Sequence, residues 1–375
     1  MSEKVKVLYF VDRLLRGGIQ TFVYENIKHM DRNKVQIDFL LLDDGNKYEM
    51  EDDLKELGCN IYKLSGIWLD RVSSFPGYIR KLDNFFKNHN DYKIIHMHAS
   101  SKNFLVLKYA KKYGIKFRIA HSHNIDFQTK NKIKKIVGSI FKIPLKIYAT
   151  HYFACAEVAG KWLFGENQVR NGKVKVIHNA IDYKKFKLNY EIRNNIRKDL
   201  NIKDNNIIIG NVGRFTNQKN HSFLIDIFYE LYKINNNAIL MLVGTGEKED
   251  EIKSKVKELK IEKNVLFMGF RKNVNELMWA MDVFIMPSLY EGLPVVGIEA
   301  QATGLPCFMS KDVITREVKI TDNLKFISLK KTSKEWAEII LNSDLKRKNT
   351  ENELRKAKYF IEDTAKELQD FYLNI

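Results

Sequence analysis

The chain has 375 residues, of which 45% are hydrophobic and 29% charged, and its formal net charge is +17. This composition describes a folded globular protein long enough for two domains, and it excludes a disordered chain. Three scattered cysteines argue against a disulfide framework and for a reducing compartment. Because the sequence shows neither a secretory signal nor an apolar run of about 18 residues, it predicts a cytoplasmic protein that does not span a membrane.

Positive charge is concentrated in the first half of the chain. Residues 1–190 contain 34 Lys and Arg against 19 Asp and Glu, a net charge of +15, whereas the remaining residues contain 29 against 27, a net charge of +2. Within the first half, residues 71–150 carry 17 basic and 3 acidic residues. An excess this local predicts a polyanionic partner more than a general aid to solubility.

Strands and helices alternate along the first half. Predicted strands lie at 4–11, 35–41, 60–63, 94–98 and 116–120, and predicted helices at 19–29, 48–56, 76–88 and 103–112. This order is typical of βαβ units on a parallel sheet, whose ligands gather at the carboxyl ends of the strands. The glycine loop at Gly17 and Gly18 and the segment 121–124 each follow a predicted strand, so both are candidate site loops.

A second alternating series begins at Asn206. Predicted strands lie at 206–212, 238–243, 265–268, 283–286 and 306–309, and predicted helices at 221–235, 249–259, 274–280 and from about 294 to 302. The simplest interpretation is an α/β protein with two doubly wound domains, residues 1–190 and 191–351, linked through the polar stretch 182–205. The amphipathic segment 352–375 is predicted as one final helix.

The stretch 283–310 contains the clearest signals in the chain for where strands and helices begin and end. A buried strand ends at Pro287, a Gly-Leu-Pro turn opens a helix, and Gly304 ends that helix. Glu291 precedes the helix and Glu299 lies within it, and eight residues at helical rise span about 12 Å, the reach of a sugar joined to a ribose through a diphosphate. The helix N-terminus between them favours phosphate. The alternative interpretation is two solvated glutamates beside an ordinary strand-to-helix turn, but the strand, the Gly-Leu-Pro helix start and the glycine that ends the helix together favour a ligand site.

This stretch resembles the signature of the family 4 retaining glycosyltransferases, which have the GT-B fold and use nucleotide-sugar donors. The resemblance implies two Rossmann-like domains that face each other across a cleft, with 352–375 crossing back to the first domain. It also implies that Glu291 contacts the donor sugar and that Glu299 binds the ribose hydroxyls. The turn residues assigned to the same donor site are Gly292, Leu293 and Pro294.

The segment 210–220 resembles the phosphate-binding loop of the same family, in which an Arg and a Lys five residues later hold the diphosphate. Here those residues are Arg214, beside Gly213, and Lys219. A departing diphosphate needs cations where its charge develops, and the two side chains supply a planar fork and a point charge. An ordinary strand-to-helix loop with surface cations is the alternative.

Looser matches extend the resemblance to other loops. Gly17 and Gly18 resemble the N-terminal glycine loop that approaches the donor phosphates, and Arg271 occupies the place where family members contact the nucleotide base. The segment 176–186 resembles the Asn-Gly-Ile-Asp signature at the domain junction, with Ala180 in place of the usual glycine. That departure leaves the local backbone geometry open.

Histidines end two predicted strands of the first half. The resemblance assigns His123 to the position beside the transfer centre, with His121 as the second candidate, whereas His96 and His98 are interpreted as structural. No carboxylate or cysteine accompanies the four histidines at ligand spacing, and no Asp-x-Asp motif stands out. Neither a metal nor another cofactor is therefore expected.

These observations predict a metal-independent, retaining hexosyltransferase of surface polysaccharide synthesis. Its donor is expected to be a nucleotide sugar, UDP-linked, and its acceptor a lipid-linked or free saccharide. Two alternatives stay open: a GT-B nucleotide-sugar epimerase, which would act without an acceptor, and a basic nucleic-acid-binding protein, which would interleave aromatic residues with its cations. Residues 130–147 instead interleave cations with Ile, Val and Leu, so no nucleic-acid partner is expected. An NAD-linked enzyme lacks its Gly-x-Gly-x-x-Gly motif. The donor sugar, acceptor, linkage and oligomeric state are not predicted.

A lysine-rich segment accounts for much of the local charge. A helix from about 130 to 143 would place Ile133, Ile136, Val137 and Ile140 on one face, between lysines that include Lys130, Lys132, Lys134 and Lys135. Either this stripe packs on the core of the first domain, or it faces an anionic membrane. The second interpretation predicts a peripheral location at the inner face of the cell membrane.

Overall fold

The computed structural model describes residues 4–15, 17–42, 45–64, 75–99, 101–125, 131–311 and 313–375. The chain forms two compact units. Unit 1 comprises Met1–Ala180 and Ile361–Ile375, and unit 2 comprises Ile181–Phe360. The sequence-based divisions after residues 190 and 351 differ from these boundaries by ten and nine residues, because the two ends of unit 2 pair with each other: Ile181 forms a parallel bridge with Phe360.

Unit 1 is built on a seven-stranded parallel sheet with the strand order β3-β2-β1-β4-β5-β6-β7. The strands are β1 (Val5–Val11), β2 (Val35–Leu42), β3 (Ile61–Leu64), β4 (Ile94–Met97), β5 (Phe117–Ser122), β6 (His151–Ala154) and β7 (Val174–Val176). The helices are α1 (Gly18–Lys28), α2 (Glu49–Glu56), α3 (Phe75–Asn88), α4 (Phe104–Lys112), α5 (Lys132–Tyr148), α6 (Glu157–Phe164), α7 (Glu166–Arg170) and α16 (Ile361–Asn374).

Unit 2 is built on a six-stranded parallel sheet with the strand order β10-β9-β8-β11-β12-β13. The strands are β8 (Ile207–Val212), β9 (Ala238–Val243), β10 (Val265–Gly269), β11 (Val283–Met286), β12 (Cys307–Ser310) and β13 (Leu324–Ile327). The helices are α8 (Tyr183–Phe186), α9 (Tyr190–Asp199), α10 (His221–Ile234), α11 (Glu249–Glu258), α12 (Val274–Ala280), α13 (Val295–Ala302), α14 (Ser333–Leu341) and α15 (Glu351–Lys356).

Both sheets are buried on their two faces, which explains the continuous apolar runs in their strands. In unit 2 the neighbouring residues Ile208 and Ile209 on β8 belong to two different hydrophobic clusters, one on each side of the sheet. A Cβ on Gly210 would lie 2.0 Å from the Met281 sulfur, so a larger residue on this central strand would displace that buried side chain. This layering leaves the loops at the carboxyl edge of each sheet to carry function.

The predicted single helix over 352–375 is wrong, because the segment folds as two helices. α15 ends at Lys356, Lys358 adopts a left-handed conformation with φ 60°, and α16 begins at Ile361. Tyr359 and Phe360 are buried in the core of unit 2, whereas Leu368 and Tyr372 are buried in that of unit 1. The break therefore lets one chain segment supply apolar side chains to two cores.

None of the helices in the described part of the chain is both long and apolar enough to cross a membrane.

Candidate functional site

Four loops meet at the carboxyl edge of the unit 2 sheet. They follow β8 (residues 213–220), β9 (244–246), β10 (270–271) and β11 (287–294). Because the strands are parallel and adjacent, residues far apart in sequence come together at this edge. Except for Glu299, which lies on the helix after the last of these loops, they contain every unit 2 residue assigned to donor binding from sequence.

The loops after β8 and β11 are joined by backbone and side-chain hydrogen bonds. The Leu289 amide donates to the Gln218 carbonyl at 2.8 Å, and Gln218 Nε2 donates to the Tyr290 carbonyl at 3.0 Å. Asn220 Nδ2 donates to the Pro287 carbonyl at 3.0 Å, from a left-handed backbone position with φ 54°. The predicted phosphate loop and the predicted sugar loop are thus one structural unit.

An ion pair closes the same junction. Lys219 Nζ lies 2.6 Å from Glu291 Oε1, and the two side chains are only 16% and 9% exposed. A charge-assisted hydrogen bond in such a shielded place is stronger than a surface pair. The two residues predicted to have separate roles, one toward the diphosphate and one toward the sugar, therefore hold each other in this structure.

Glycines allow the loops after β8 and β9 to pack backbone against backbone. A Cβ on Gly244, whose φ is +138°, would lie 2.1 Å from the Gly213 carbonyl oxygen, and one on Gly246 would lie 2.4 Å from the Phe215 carbonyl oxygen. Gly213 also leaves room for the Lys219 side chain, which a Cβ there would meet at 3.3 Å. The glycines thereby allow the two loops and the aliphatic part of Lys219 to pack closely.

Arg214 and Arg271 present cations at the edge of this surface. Arg214 is exposed, and no side-chain hydrogen bond or ion pair to it is found within the part of the chain that the structure describes. Arg271 is exposed and donates from Nε to the Met268 carbonyl at 2.9 Å. Phe270, beside it, is 64% exposed. An uncommitted guanidinium and an exposed ring are suited to a phosphate and a planar base, respectively.

The second glutamate lies on helix α13. Pro294 precedes the first helical residue, so the first N–H groups of the helix point toward the loop that contains Gly292 and Leu293. Glu299 lies just beyond the first turn and is half-buried. The order loop, helix N-terminus and second carboxylate is the one that the sequence predicted.

At the carboxyl edge of unit 1, the glycine loop opens helix α1. Gly17 is its N-cap, in an extended conformation, and a Cβ there would lie 3.1 Å from Gln20 Oε1. A Cβ on Gly18 would have no described atom within 4 Å, and the φ of this residue is not in the left-handed region. The described part of the fold therefore does not require glycine at 18.

A carboxylate that the sequence analysis did not single out lies beside this loop. Asp12 follows β1 and accepts a hydrogen bond from Asn103 Nδ2 at 2.6 Å. Burial raises the pKa of Asp12, although the charge of Lys102 and the hydrogen bond from Asn103 oppose that shift. Perturbed carboxyl groups often mark functional sites. An acidic residue directly after a buried strand was the signal that could have identified it.

Four histidines form one cluster at the ends of β4 and β5. His96 Nε2 lies 3.1 Å from His121 Nδ1, and His98 Nδ1 lies 3.0 Å from His123 Nε2. His96 Nδ1 lies 2.6 Å from the Tyr372 hydroxyl of α16. His96, His98 and His121 are at most 1% exposed, whereas His123 is half-buried. His123 is thus the member of the cluster that a ligand can reach.

Burial keeps these imidazoles neutral. It lowers the pKa of His123 to about 3, and it lowers the pKa values of the other three well below the usual range, helped by neighbouring imidazoles. Nitrogen atoms of His96, His98 and His121 lie within 4.8 Å of one another. However, these three rings are stacked or tilted by 12–37°, so their in-plane lone pairs do not converge on one point. A hydrogen-bonded network explains the cluster better than a metal site.

Two family models cover most of the chain. The model described as Glycosyltransferase Family 4 matches residues 16–185, and the model described as Glycosyl transferases group 1 matches residues 192–359.

Relatives match over most of their length. A Bacillus subtilis (strain 168) protein that bears the name glycosyltransferase EpsF is 33% identical over 90% of this chain and 88% of its own. The UDP-Gal:alpha-D-GlcNAc-diphosphoundecaprenol alpha-1,3-galactosyltransferase of Escherichia coli is 26% identical over 82% and 79%. The capsular polysaccharide biosynthesis glycosyltransferase CapH of Staphylococcus aureus is 26% identical over 99% of both chains.

Solved structures share the fold. Anabaena Alr3699/HepE, crystallised in complex with UDP and glucose, superposes with a TM-score of 0.78 at 19% identity, over 99% of this chain and 100% of that chain.

Proposed function

The chain belongs to the family 4 glycosyltransferases and is a GT-B glycosyltransferase of polysaccharide biosynthesis, and from this premise we propose that it transfers a sugar with retention of configuration from a UDP-sugar. In the proposed reaction the bond between the anomeric carbon and the diphosphate oxygen breaks. The acceptor hydroxyl forms the new glycosidic bond on the same face of the sugar and loses its proton. UDP leaves.

The ion pair between Lys219 and Glu291 is the observation that carries this proposal. It brings a lysine ammonium and a carboxylate together at one sheet edge. In the proposed site, the donor diphosphate takes the place of Glu291 as the partner of Lys219, and Arg214 binds the same phosphates. Glu291 is then released toward the sugar hydroxyls, while Glu299 receives the ribose. Protein cations supply the charge stabilisation, so we propose that no metal is needed.

The nature of the donor and acceptor is inferred from relatives. HepE has been crystallised with UDP and glucose, and the Escherichia coli relative is named for UDP-Gal and a diphosphoundecaprenol acceptor. We extend this chemistry to the present chain: a UDP-hexose donor and a lipid-linked or saccharide acceptor, used on the cytoplasmic side at an anionic membrane surface. The positively charged first half of the chain, at +15 against +2 for the remainder, supports that location.

A panel of UDP-sugars tests the proposal. Each sugar is incubated with the full chain and a polyprenyl-diphosphate sugar, with and without a chelator, and the anomeric configuration of the product is read from its proton NMR coupling constants. Retained configuration and unchanged turnover in the chelator are the expected results. An inverted product would contradict retention, and activity lost in the chelator would contradict metal independence. Conversion of the UDP-sugar without any acceptor would instead indicate an epimerase.

A further inference from the structure

Helix α5 exposes a continuous aliphatic face. Ile133, Ile136, Ile140, Ile143 and Ile147 are 55–71% exposed, and Val137 is 41% exposed. At 100° per residue these six side chains fall within an arc of about 120°. Most helices bury such a face against the core. Of the two interpretations of this stripe, packing on the core of the first domain is therefore wrong. Lys130, named with the stripe, lies outside the described residues.

Other side chains of α5 attach the helix to unit 1. Leu145 is fully buried, and the Phe141 ring lies 5.4 Å from that of Phe104 on α4. Lys142 Nζ donates to the Trp162 carbonyl at 2.6 Å and lies 4.0 Å from the indole ring. Because these contacts already fix the helix, the aliphatic face is not needed for packing within the unit.

The surroundings of this face are positively charged. Residues 92–156 contain thirteen Lys and Arg and a single acidic residue, Asp126, which lies outside the described residues. Lys132 and Lys134 flank the aliphatic arc and are exposed, and Lys108 and Lys111 are exposed on α4. Two copies of such a face would repel each other, whereas an anionic surface would attract it.

We propose that α5 lies in the surface of an anionic lipid bilayer, with its isoleucine face among the acyl chains and its lysines at the headgroups. A helix of 17 residues is about 25 Å long, and interfacial helices of this kind insert their apolar face about 5–10 Å deep. The inference rests on the proposed function only for its purpose, delivery of a lipid-linked acceptor. Asn131, the N-cap of α5, is eight positions after His123 in the sequence.

Vesicle binding by the full chain tests this inference. We expect sedimentation with vesicles that mix phosphatidylcholine and phosphatidylglycerol, and little with phosphatidylcholine alone. The variant Ile136→Ser/Ile140→Ser/Ile143→Ser should bind about 100-fold more weakly, because three aliphatic chains no longer enter the apolar phase. Lys132→Gln/Lys134→Gln/Lys146→Gln should bind about tenfold more weakly, and its binding should fall less steeply with salt than that of the wild type.

Ile234 supplies the matched control, since it is 61% exposed, as is Ile136, but lies on α10 of unit 2. Ile234→Ser should bind vesicles like the wild type. In a second measurement, Ile140→Trp should show a blue-shifted emission on adding anionic vesicles, and Ile234→Trp should not. All of these positions are exposed except Lys146, which is half-buried, so circular dichroism of every variant should match that of the wild type.

Three outcomes would overturn the inference. They are no wild-type binding to either vesicle, undiminished binding of the triple isoleucine variant, and a dimeric wild type that becomes monomeric in that variant. Transfer to a water-soluble saccharide acceptor separates this inference from the proposed function. If the wild type transfers sugar but does not bind vesicles, the inference about α5 is wrong and the proposed function stands. If it binds vesicles but transfers no sugar, the proposed function is wrong and the inference about α5 stands.

Discussion

The carboxyl edges of the two sheets carry side chains of different charge. At the edge of unit 2, charged side chains from two loops form an ion pair, that of Lys219 with Glu291. At the same edge of unit 1, four imidazoles lie beside one another, three of them buried and that of His123 half-buried, and burial keeps them neutral. The comparison teaches that one topology can present either a charged surface, suited to a diphosphate, or a neutral one, suited to hydroxyl groups.

The largest expected effect is acid destabilisation of unit 1. Its four imidazoles stay neutral when folded, with pKa values below the 6.5 expected when unfolded. As the pH falls below about 6.5, the unfolded chain therefore binds protons at these imidazoles, whereas the folded chain does not. Each imidazole then lowers the free energy of unfolding by up to about 1.4 kcal/mol per pH unit. Stability is fully retained above that pH.

Hydrogen exchange resolved by mass spectrometry, at pH 7 and pH 5, can follow the two units separately. Unit 2 contains one comparable group, His221, whose pKa burial lowers to about 4, so it should lose less stability. His123→Asn should reduce the pH dependence of unit 1, and His221→Asn should not. Equal protection of unit 1 at both pH values would contradict the neutral cluster.

The next effect concerns the cations of unit 2. Arg214→Ala should lower turnover by about 100-fold or more, the usual scale for loss of a group that stabilises leaving-group charge. Lys219→Ala should do the same and should also lower the melting temperature, because Glu291 then lacks its partner in a shielded place. Arg316→Ala, another exposed arginine of unit 2, is the control. Near-normal turnover in Arg214→Ala would remove this loop from the donor site.

A smaller effect should separate the two glutamates. Glu291→Gln should lower transfer yet strengthen binding of free UDP by about tenfold, because Lys219 no longer shares its charge with a carboxylate. Glu299→Gln should weaken UDP binding, since the ribose loses a hydrogen-bond acceptor. Isothermal titration calorimetry with UDP measures both. If the two variants change UDP affinity in the same direction, the ion pair does not compete with the diphosphate.

The smallest effect is expected at the glycine loop of unit 1. Gly18→Ala should leave the melting temperature unchanged, because the position has space for a methyl group. The KM for the UDP-sugar should rise about fivefold if the donor phosphates approach the backbone there. Gly77→Ala, at an equally open glycine of α3, should leave both quantities unchanged. An unaltered KM in Gly18→Ala would show that the donor phosphates do not approach the backbone of this loop.

Apolar runs and the Gly and Pro residues that end them made much of the fold predictable. The predicted strands at 238–243 and 283–286 and the predicted helix at 274–280 match the observed β9, β11 and α12. Pro287, the Gly-Leu-Pro turn and Gly304 likewise bracket α13, which ends at Ala302 as expected. Apolar runs and breakers act within a few residues, so they are legible in one sequence.

Contacts between distant residues were not predictable in the same way. The pair of Lys219 and Glu291 joins residues 72 apart, and the hydrogen bond between His96 and Tyr372 joins residues 276 apart. The break at Lys358 was missed because the apolar period continues across it while the two halves turn to different cores. Nor did the pattern indicate that the isoleucines of α5 stay exposed, because periodicity reveals a face and not what covers it.

The return of α16 to unit 1 has a consequence for how the protein is made. Ala365, Leu368 and Tyr372 belong to the same buried cluster as Tyr9 and Phe39, yet the ribosome adds them only after all of unit 2. At 5–20 residues per second, the 180 residues from 181 to 360 take on the order of ten seconds or more. During that interval unit 1 has an open hydrophobic slot and a His96 without its tyrosine, whereas unit 2 is continuous in sequence. Unit 2 can therefore complete its core during synthesis before unit 1 does.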